Sequence, residues 1–99
     1  MYATVRTLKI KPNYKEENQQ RVHDELLPKL RNIPGFVDYY LIYTDKDTEI
    51  SIGFFKDKKG CDALNKLAND FVKEVTPKVE LTSITEGEMV VQSRAPAMA

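Results

Sequence analysis

Residues 36–44 constrain the fold more than any other segment, because they predict a strand with apolar side chains on both faces. The sequence FVDYYLIYT is dense in aromatic and β-branched residues, which favour strands. Strict alternation divides its larger side chains into two sets. One set is Phe36, Tyr40 and Ile42, and the other is Val37, Tyr39, Leu41 and Tyr43. Whichever set meets the core, an apolar face is left uncovered.

The rest of the pattern predicts three more strands and two helices. The strands are expected at residues 2–10, 36–44, 49–56 and 79–92, and the helices at residues 15–33 and 58–75. Pro28 predicts a kink in the first helix, and Asp57 is the expected N-cap of the second. Gly53, inside a strand, indicates a bulge or a close approach to the backbone.

This order, β-α-β-β-α-β, predicts an α+β fold of the ferredoxin-like, split βαβ type. Such a unit has one four-stranded antiparallel sheet with both helices on one face. We expect one domain over residues 1–92, followed by a mobile C-terminal tail at residues 93–99. The uncovered apolar face predicts a homodimer in which two sheets pack against each other.

Composition excludes several classes of protein. Fifteen Lys and Arg balance fifteen Asp and Glu, which argues against nucleic-acid binding and against a polybasic membrane anchor. No apolar run is long enough to span a membrane, and the first residues do not resemble a signal peptide. The single cysteine, Cys61, excludes an internal disulfide and favours a reducing, cytoplasmic location. One histidine and one cysteine do not make a structural zinc site.

Three segments carry a family resemblance. They are PGFVDYYL at residues 34–41, ISIGFFKD at residues 50–57 and EGEMVV at residues 86–91. In order and spacing they resemble the dimeric α+β barrel superfamily, and within it the antibiotic biosynthesis monooxygenase-type domains. The resemblance extends from about residue 2 to residue 92, and its motifs are structural rather than catalytic.

The resemblance implies oxygenation of phenols, anthrones or quinols without a cofactor, because an electron-rich phenolate can pass an electron to O₂ itself. The family also has a haem-degrading branch, which uses an Asn on the first strand and a Trp and a His on the second helix. Here Arg6 stands at the strand position, and the second helix has neither Trp nor His. We therefore expect no haem, no other cofactor and no metal.

Arg6, Tyr39, Tyr40 and Phe55 are the candidate substrate-binding residues. Arg6 lies in mid-strand with its neighbours Thr4 and Leu8 on the side expected to face the barrel, where it would anchor a phenolate, a carboxylate or a developing superoxide. The alternative is that Arg6 forms an ion pair across the dimer interface or contacts solvent at an edge. A strand-two tyrosine would orient a substrate oxygen, although packing at a sheet interface is the more common role. The pattern does not decide between Tyr39, Tyr40 and Tyr43, and ordinary packing is favoured for Phe55.

His23 and Asn65 are the candidate catalytic residues. His23 has the side-chain pKa expected of a general base, but it lies at the edge of the apolar stripe, where a solvent contact or Asp24 would satisfy it. Asn65 and Asn69 are one turn apart on the second helix, where Asn is a mediocre helix former. They would donate to a bound oxygen or simply face solvent.

Three functions remain open from the sequence. The first is a cofactor-independent monooxygenase acting on a small aromatic or quinol-like metabolite in a pocket between the sheet and the helices. The second is a non-catalytic, small-ligand-binding or stress-associated homodimer of the same fold. The third is an interaction module that packs its sheet against a partner.

Overall fold

The structure, a computed structural model, describes residues 1–96 and has one four-stranded antiparallel sheet with helices on one face. The strands are β1 (Tyr2–Ile10), β2 (Phe36–Asp45), β3 (Thr48–Phe55) and β4 (Val79–Glu88). Their order across the sheet is β2-β3-β1-β4, so that β1 and β3 are central. This arrangement confirms the predicted ferredoxin-like fold.

The first helical layer is irregular. A short 3₁₀ turn at Pro12–Tyr14 leads into an α-helix at Lys15–Arg21, a π-helical segment at Val22–Leu26 and a last α-helical turn at Leu27–Leu30. The backbone N–H of Leu27 donates to the carbonyl of Val22, which is a π-type bond. The irregularity predicted at Pro28 is therefore present as a π-helical segment that ends just before it, and the helix stops three residues before the predicted end.

The second helix, Lys58–Lys73, begins at the predicted N-cap. The Asp57 carboxylate accepts a hydrogen bond from the backbone N–H of Gly60 at 3.3 Å. Gly60 packs on the Phe55 ring so closely that a Cβ there would lie 2.3 Å from Phe55 Cδ1. A Cβ at Gly53 would lie 2.4 Å from Leu64 Cδ2, so the close approach predicted at this glycine is present. These two glycines allow the helix to pack tightly on the sheet.

The start of β2 departs from the predicted alternation. Its pairing with β3 shifts between Phe36 and Asp38. As a result Phe36 packs against the core residue Phe55, with ring centroids 5.7 Å apart. The prediction that Phe36 shares a face with Tyr40 is wrong, because a bulge adds one residue and changes which side of the sheet the residues before it face.

No helix within residues 1–96 covers the outer face of the sheet, and the middle of this face is apolar. Register places the side chains of Val5, Tyr40, Ile42, Ile52 and Phe54 on it. Tyr40 is 52% exposed, and its ring makes an edge contact with Phe54 at a centroid distance of 6.2 Å. This is the uncovered apolar face that the sequence predicts.

The chain after β4 has no regular secondary structure in the described part. Strand β4 ends four residues before its predicted end, and Met89 then donates its backbone N–H to the Met1 carbonyl at 2.7 Å. The predicted mobile tail includes residues 97–99, which lie outside the described residues. Among residues 1–96, no helix combines the length and apolarity needed to cross a bilayer.

Candidate functional site

A buried guanidinium lies between the sheet and the second helix. Arg6 is in the middle of β1 and is 1% exposed. Its Nη1 donates to Asn65 Oδ1 at 3.2 Å, and its Nη2 donates to Asn69 Oδ1 at 2.8 Å. The Thr4 hydroxyl also donates to Asn65 Oδ1, at 3.1 Å, and the Asn65 amide donates to the Glu86 carboxylate. Because Asn65 and Asn69 are one helical turn apart, their amides receive the two arms of the guanidinium.

The charge of Arg6 has no direct counter-ion in the described part of the chain. Within residues 1–96, no carboxylate oxygen lies within 4.0 Å of its nitrogens. Burial lowers the pKa of Arg6, while the charges of Tyr39 and Glu49 oppose that shift. An arginine nevertheless stays protonated in proteins. A buried cation held by neutral amides is therefore a strong attractor for an anion.

A buried carboxylate lies on the neighbouring strand. Glu49 on β3 is 5% exposed and accepts a hydrogen bond from Asn18 Nδ2 at 2.6 Å. The same Asn18 amide donates to the Tyr43 hydroxyl at 3.1 Å, and that hydroxyl donates to the Lys15 carbonyl at 3.1 Å. Burial raises the pKa of Glu49 to about 7, although Asn18 and the Arg6 charge act in the opposite direction. Glu49 is thus a proton acceptor near neutral pH.

Arg6 and Glu49 line one small cavity between the sheet and the helices. Tyr39 and Ser51 complete its polar side. Its apolar side is formed by residues from the helices and from the chain near their ends, which include Val22, Leu26, Ala68, Phe71, Val72, Val75 and Val79. The enclosed volume is about 20 Å³, which is room for one water molecule. Burial raises the pKa of Tyr39 to about 12, so its hydroxyl is a proton-bearing donor.

The structure gathers three of the six predicted site residues and separates the other three. Arg6 and Tyr39 line the cavity, and Asn65 holds Arg6. His23 lies on the solvent side of the first helix, with its side chain 73% exposed and Nδ1 3.1 Å from Asp24 Oδ1. Tyr40 is on the outer face of the sheet. Phe55 is fully buried in the hydrophobic core beside Leu30 and Leu64.

Glu49 and Asn18 are site residues that the sequence analysis did not select. Both carried a signal in the pattern. Glu49 alternates with Ser51 and Phe55 on the side of β3 that faces the helices. Asn18 precedes Val22 and Leu26 by one and two helical turns, so that it continues the apolar stripe of the first helix. Each is a polar residue at a position where the pattern predicts a buried apolar one, and this signal would have identified both.

An arginine clasp closes the edge of the cavity. Arg21, on the first helix, places its guanidinium carbon 3.8 Å from the centroid of the Phe71 ring. Its Nη2 donates to the Phe71 carbonyl at 3.2 Å and pairs with the Glu74 carboxylate. Because Phe71 lines the cavity, this clasp joins the two helices beside it.

The cavity does not fit a haem. Its residues offer neither an imidazole nor a thiol as an axial ligand, and its volume of about 20 Å³ would have to enlarge far more for a macrocycle than for a small aromatic compound. Among residues 1–96, no group of three or more His, Cys, Asp or Glu side chains is placed to hold a metal ion. The chemistry that this lining favours is hydrogen bonding and proton transfer to a small polar group.

Solved structures with the same fold share little sequence with this chain. A candidate antibiotic biosynthesis monooxygenase from Deinococcus radiodurans is 14% identical, with a TM-score of 0.73 over 98% of this chain and 100% of that one. The haem-degrading protein MhuD from Mycobacterium tuberculosis, with two haems bound in its active site, is 13% identical, with a TM-score of 0.70 over 95% and 100%. A dimeric ferredoxin-like protein from an uncultured marine organism is 11% identical, with a TM-score of 0.67 over 95% and 98%.

No protein-family model matches the sequence, and no curated protein matches it. The structural comparisons therefore establish the fold. The chain has the ferredoxin-like fold that these solved structures share. The resemblance seen in the sequence is confirmed at that level.

Proposed function

We propose that the chain is a cofactor-independent monooxygenase that binds a small phenol, anthrone or quinol in the cavity between the sheet and the helices. The observation that carries this proposal is the Arg6 guanidinium, which is buried, held in place by two amides and open to the cavity. Structures of similar fold include a candidate monooxygenase, which supports the reaction class.

The lining supplies what such a reaction needs from a protein. A phenolate or enolate oxygen would lie against Arg6, with the Tyr39 hydroxyl as a second donor. The aliphatic side of the cavity, which includes Val22, Leu26 and Ala68, would contact the ring and exclude water. Asn65 and Asn69 act as positioning residues, because they fix the direction of the guanidinium.

The substrate and O₂ balance the reaction without a further reductant. For an anthrone, the ring CH₂ carbon becomes a carbonyl carbon. One atom of O₂ enters that carbonyl, and the other leaves as water with the two hydrogens of the carbon. The bound anion supplies the electrons, so the protein has to bind it, keep it ionised and shield it.

We also propose that the chain forms a homodimer through the outer face of the sheet. Its exposed aromatic and aliphatic side chains continue into an open groove of about 390 Å³, which lies between Tyr40, Phe54 and the segment after β4. Apolar patches of this kind mark association surfaces. A solved structure of the same fold is described as dimeric, which supports this assembly.

Oxygen uptake tests the monooxygenase proposal. Wild-type protein is mixed with a panel of hydroquinones and anthrones in an oxygen electrode, beside an Arg6→Met variant and an Arg31→Met variant whose site is exposed and remote. We expect uptake above the uncatalysed rate for wild type and Arg31→Met, and a loss of at least tenfold for Arg6→Met. Uptake at the uncatalysed rate across the whole panel would contradict the proposal.

Ligand binding without turnover is the second candidate function. The observation that favours it is the position of His23, the predicted catalytic imidazole, whose side chain is 73% exposed and does not line the cavity. If aromatic compounds raise the thermal midpoint of the protein while oxygen uptake stays at the uncatalysed rate, the chain is a binding homodimer rather than an enzyme.

A further inference from the structure

The cavity contains two opposite charges that are not in contact. Arg6 pairs across the sheet with Ser51, and Glu49 pairs with Leu8, two residues along on each strand. Two residues in this diagonal relation have backbones about 7–8 Å apart. Within residues 1–96, no ion pair shorter than 4.0 Å joins Arg6 to Glu49. Both side chains line the same small cavity, so a polar group that enters it would meet the cation and the carboxylate.

The surroundings of Glu49 prevent it from finding another charged partner. Asn18, from the first helix, donates to it, while Tyr39 and Tyr43 from β2 and Arg6 from β1 are the titratable groups that face it. The part of the second helix that lines the cavity is apolar, with Ala68, Phe71 and Val72. One carboxylate oxygen is held by Asn18, and proton transfer from a ligand would satisfy the other.

We propose that Glu49 accepts the hydroxyl proton of a neutral phenol or enol bound against Arg6, so that the site selects weakly acidic hydroxyl compounds over permanent anions. This inference rests on the proposed function, because it assigns the proton transfer that precedes reaction with O₂. The ligand O–H bond breaks, an O–H bond forms on the Glu49 carboxyl group, and the phenolate oxygen pairs with the Arg6 guanidinium. The total charge inside the cavity does not change.

Charge balance gives the selectivity. With Glu49 ionised, Arg6 and Glu49 make the empty cavity neutral, and a neutral phenol keeps it neutral after the proton has moved. A benzoate adds one negative charge, which is unfavourable in a buried site unless Glu49 first takes a proton from solution. Benzoates should therefore bind with uptake of a proton from the buffer at mildly alkaline pH, whereas phenols should bind without it.

Absorbance spectroscopy in the absence of oxygen tests the transfer itself. The ligand is 3-nitrophenol, whose phenolate absorbs at longer wavelength than the neutral phenol, and 3-nitroanisole is the matched compound without a proton. At a pH of about 7.5, we expect the wild-type protein to shift bound 3-nitrophenol to the phenolate spectrum and to leave 3-nitroanisole unchanged. In Glu49→Gln, which keeps an acceptor for Asn18, the Arg6 charge has no buried carboxylate opposite it, so 3-nitrophenol should still bind as the phenolate but should release its proton to the buffer.

Two further variants give the control and the rescue. Glu16→Gln, at an exposed position of the first helix, should behave as wild type, and Glu49→Asp should again retain part of the ligand proton in the site. Isothermal titration in two buffers of different ionisation enthalpy should show that 3-nitrophenol releases its proton to the buffer on binding to Glu49→Gln but not on binding to wild type. With 3-nitrobenzoate, it should show proton uptake by wild type that is lost in Glu49→Gln. A neutral spectrum in wild type, or the same proton release from 3-nitrophenol in wild type and Glu49→Gln, would overturn the assignment. If Glu49→Gln does not fold, Glu49→Asp and the wild-type titrations decide the question.

The outcomes separate this inference from the monooxygenase proposal. If 3-nitrophenol ionises on binding but no phenol, anthrone or quinol consumes oxygen, proton transfer stands and the oxidation is wrong. If oxygen uptake occurs and is unchanged in Glu49→Gln, the oxidation stands and Glu49 is not the acceptor. If 3-nitrophenol does not bind at millimolar concentration, the assignment to Glu49 is overturned and the oxygen-uptake panel still tests the oxidation.

Discussion

The two faces of the sheet differ in the side chains that they bury and expose. The face under the helices buries charged and polar side chains, among them Arg6, Glu49 and Ser51. The face without helices exposes Tyr40 and Ile42 beside other apolar residues. Burial of polar groups opposes folding unless they are paired, and exposed apolar patches favour association. The inner face therefore carries polar groups at a cost in stability, which is consistent with the proposed ligand site, and the outer face is consistent with the proposed homodimer.

The largest effect is expected from a charge on the outer face. Ile52→Asp places one carboxylate per chain in the proposed interface, because Ile52 is in the central strand β3 and faces outward. At about 2 kcal/mol for each buried charge, two copies would weaken the dimer about 1000-fold. Sedimentation velocity at micromolar concentration measures this.

Ala63→Asp, at an exposed position of the second helix, is the control with the same change of charge. It should leave the sedimentation coefficient unchanged. A wild-type protein that sediments as a monomer, or an Ile52→Asp variant that associates as tightly as wild type, would remove the outer face from the interface.

The second effect concerns Glu49 on the inner face. Its pKa in the folded protein is about 7, above its ordinary value of 4.5. Between these values the folded state holds more protons than the unfolded state, so stability falls as the pH rises from about 4.5 to about 7. Glu49→Gln lacks this dependence and should be about 3 kcal/mol more stable than wild type at a pH of about 8.

Urea unfolding at a fixed protein concentration across this pH range measures the difference, since association also contributes to stability. The two proteins should have similar free energies of unfolding at pH about 4 and diverge as the pH rises. Glu16→Gln again serves as the control. Parallel pH profiles for wild type and Glu49→Gln would show that Glu49 is not held in a desolvated environment.

The smallest effect is expected at the clasp between the helices. Arg21→Leu removes the stacking on Phe71 and the ion pair with Glu74, and should lower the free energy of unfolding by about 1 kcal/mol. The loss is small because Arg21 Nη1 is buried without a hydrogen-bond partner. Stopped-flow mixing with 3-nitrophenol should show faster association, because the cavity edge opens more often. Arg31→Leu is the exposed control, and an unchanged association rate would mean that ligands enter elsewhere.

The sequence predicted the architecture well because its periodicity is strong. Alternation in β3 and the apolar stripe of the second helix are one-dimensional patterns that depend on local geometry. The N-cap at Asp57 was also predictable, since its side chain bonds three residues along the chain. The face occupied by Phe36 was not predictable, because a bulge depends on pairing with another strand.

The candidate site was less predictable, because it depends on contacts between residues far apart in sequence. Arg6 and Asn65 meet across 59 positions, and Asn18 reaches Glu49 across 31. Neither separation along the chain follows a helix or strand period, so the sequence does not reveal that these residues are in contact. His23 has suitable chemistry but lies on the solvent side of the π-helical segment, and only the three-dimensional structure shows which way the first helix is turned.

The packing of Gly60 on Phe55 links two positions that no motif connects. A methyl group at residue 60 would overlap Cβ, Cγ and Cδ1 of the Phe55 side chain. These atoms lie close to the backbone and have little freedom to move aside. Descendants of this sequence can therefore enlarge residue 60 only together with a smaller residue 55. The two sites should change as a pair over evolutionary time, a signature that comparison of sufficiently many relatives would reveal.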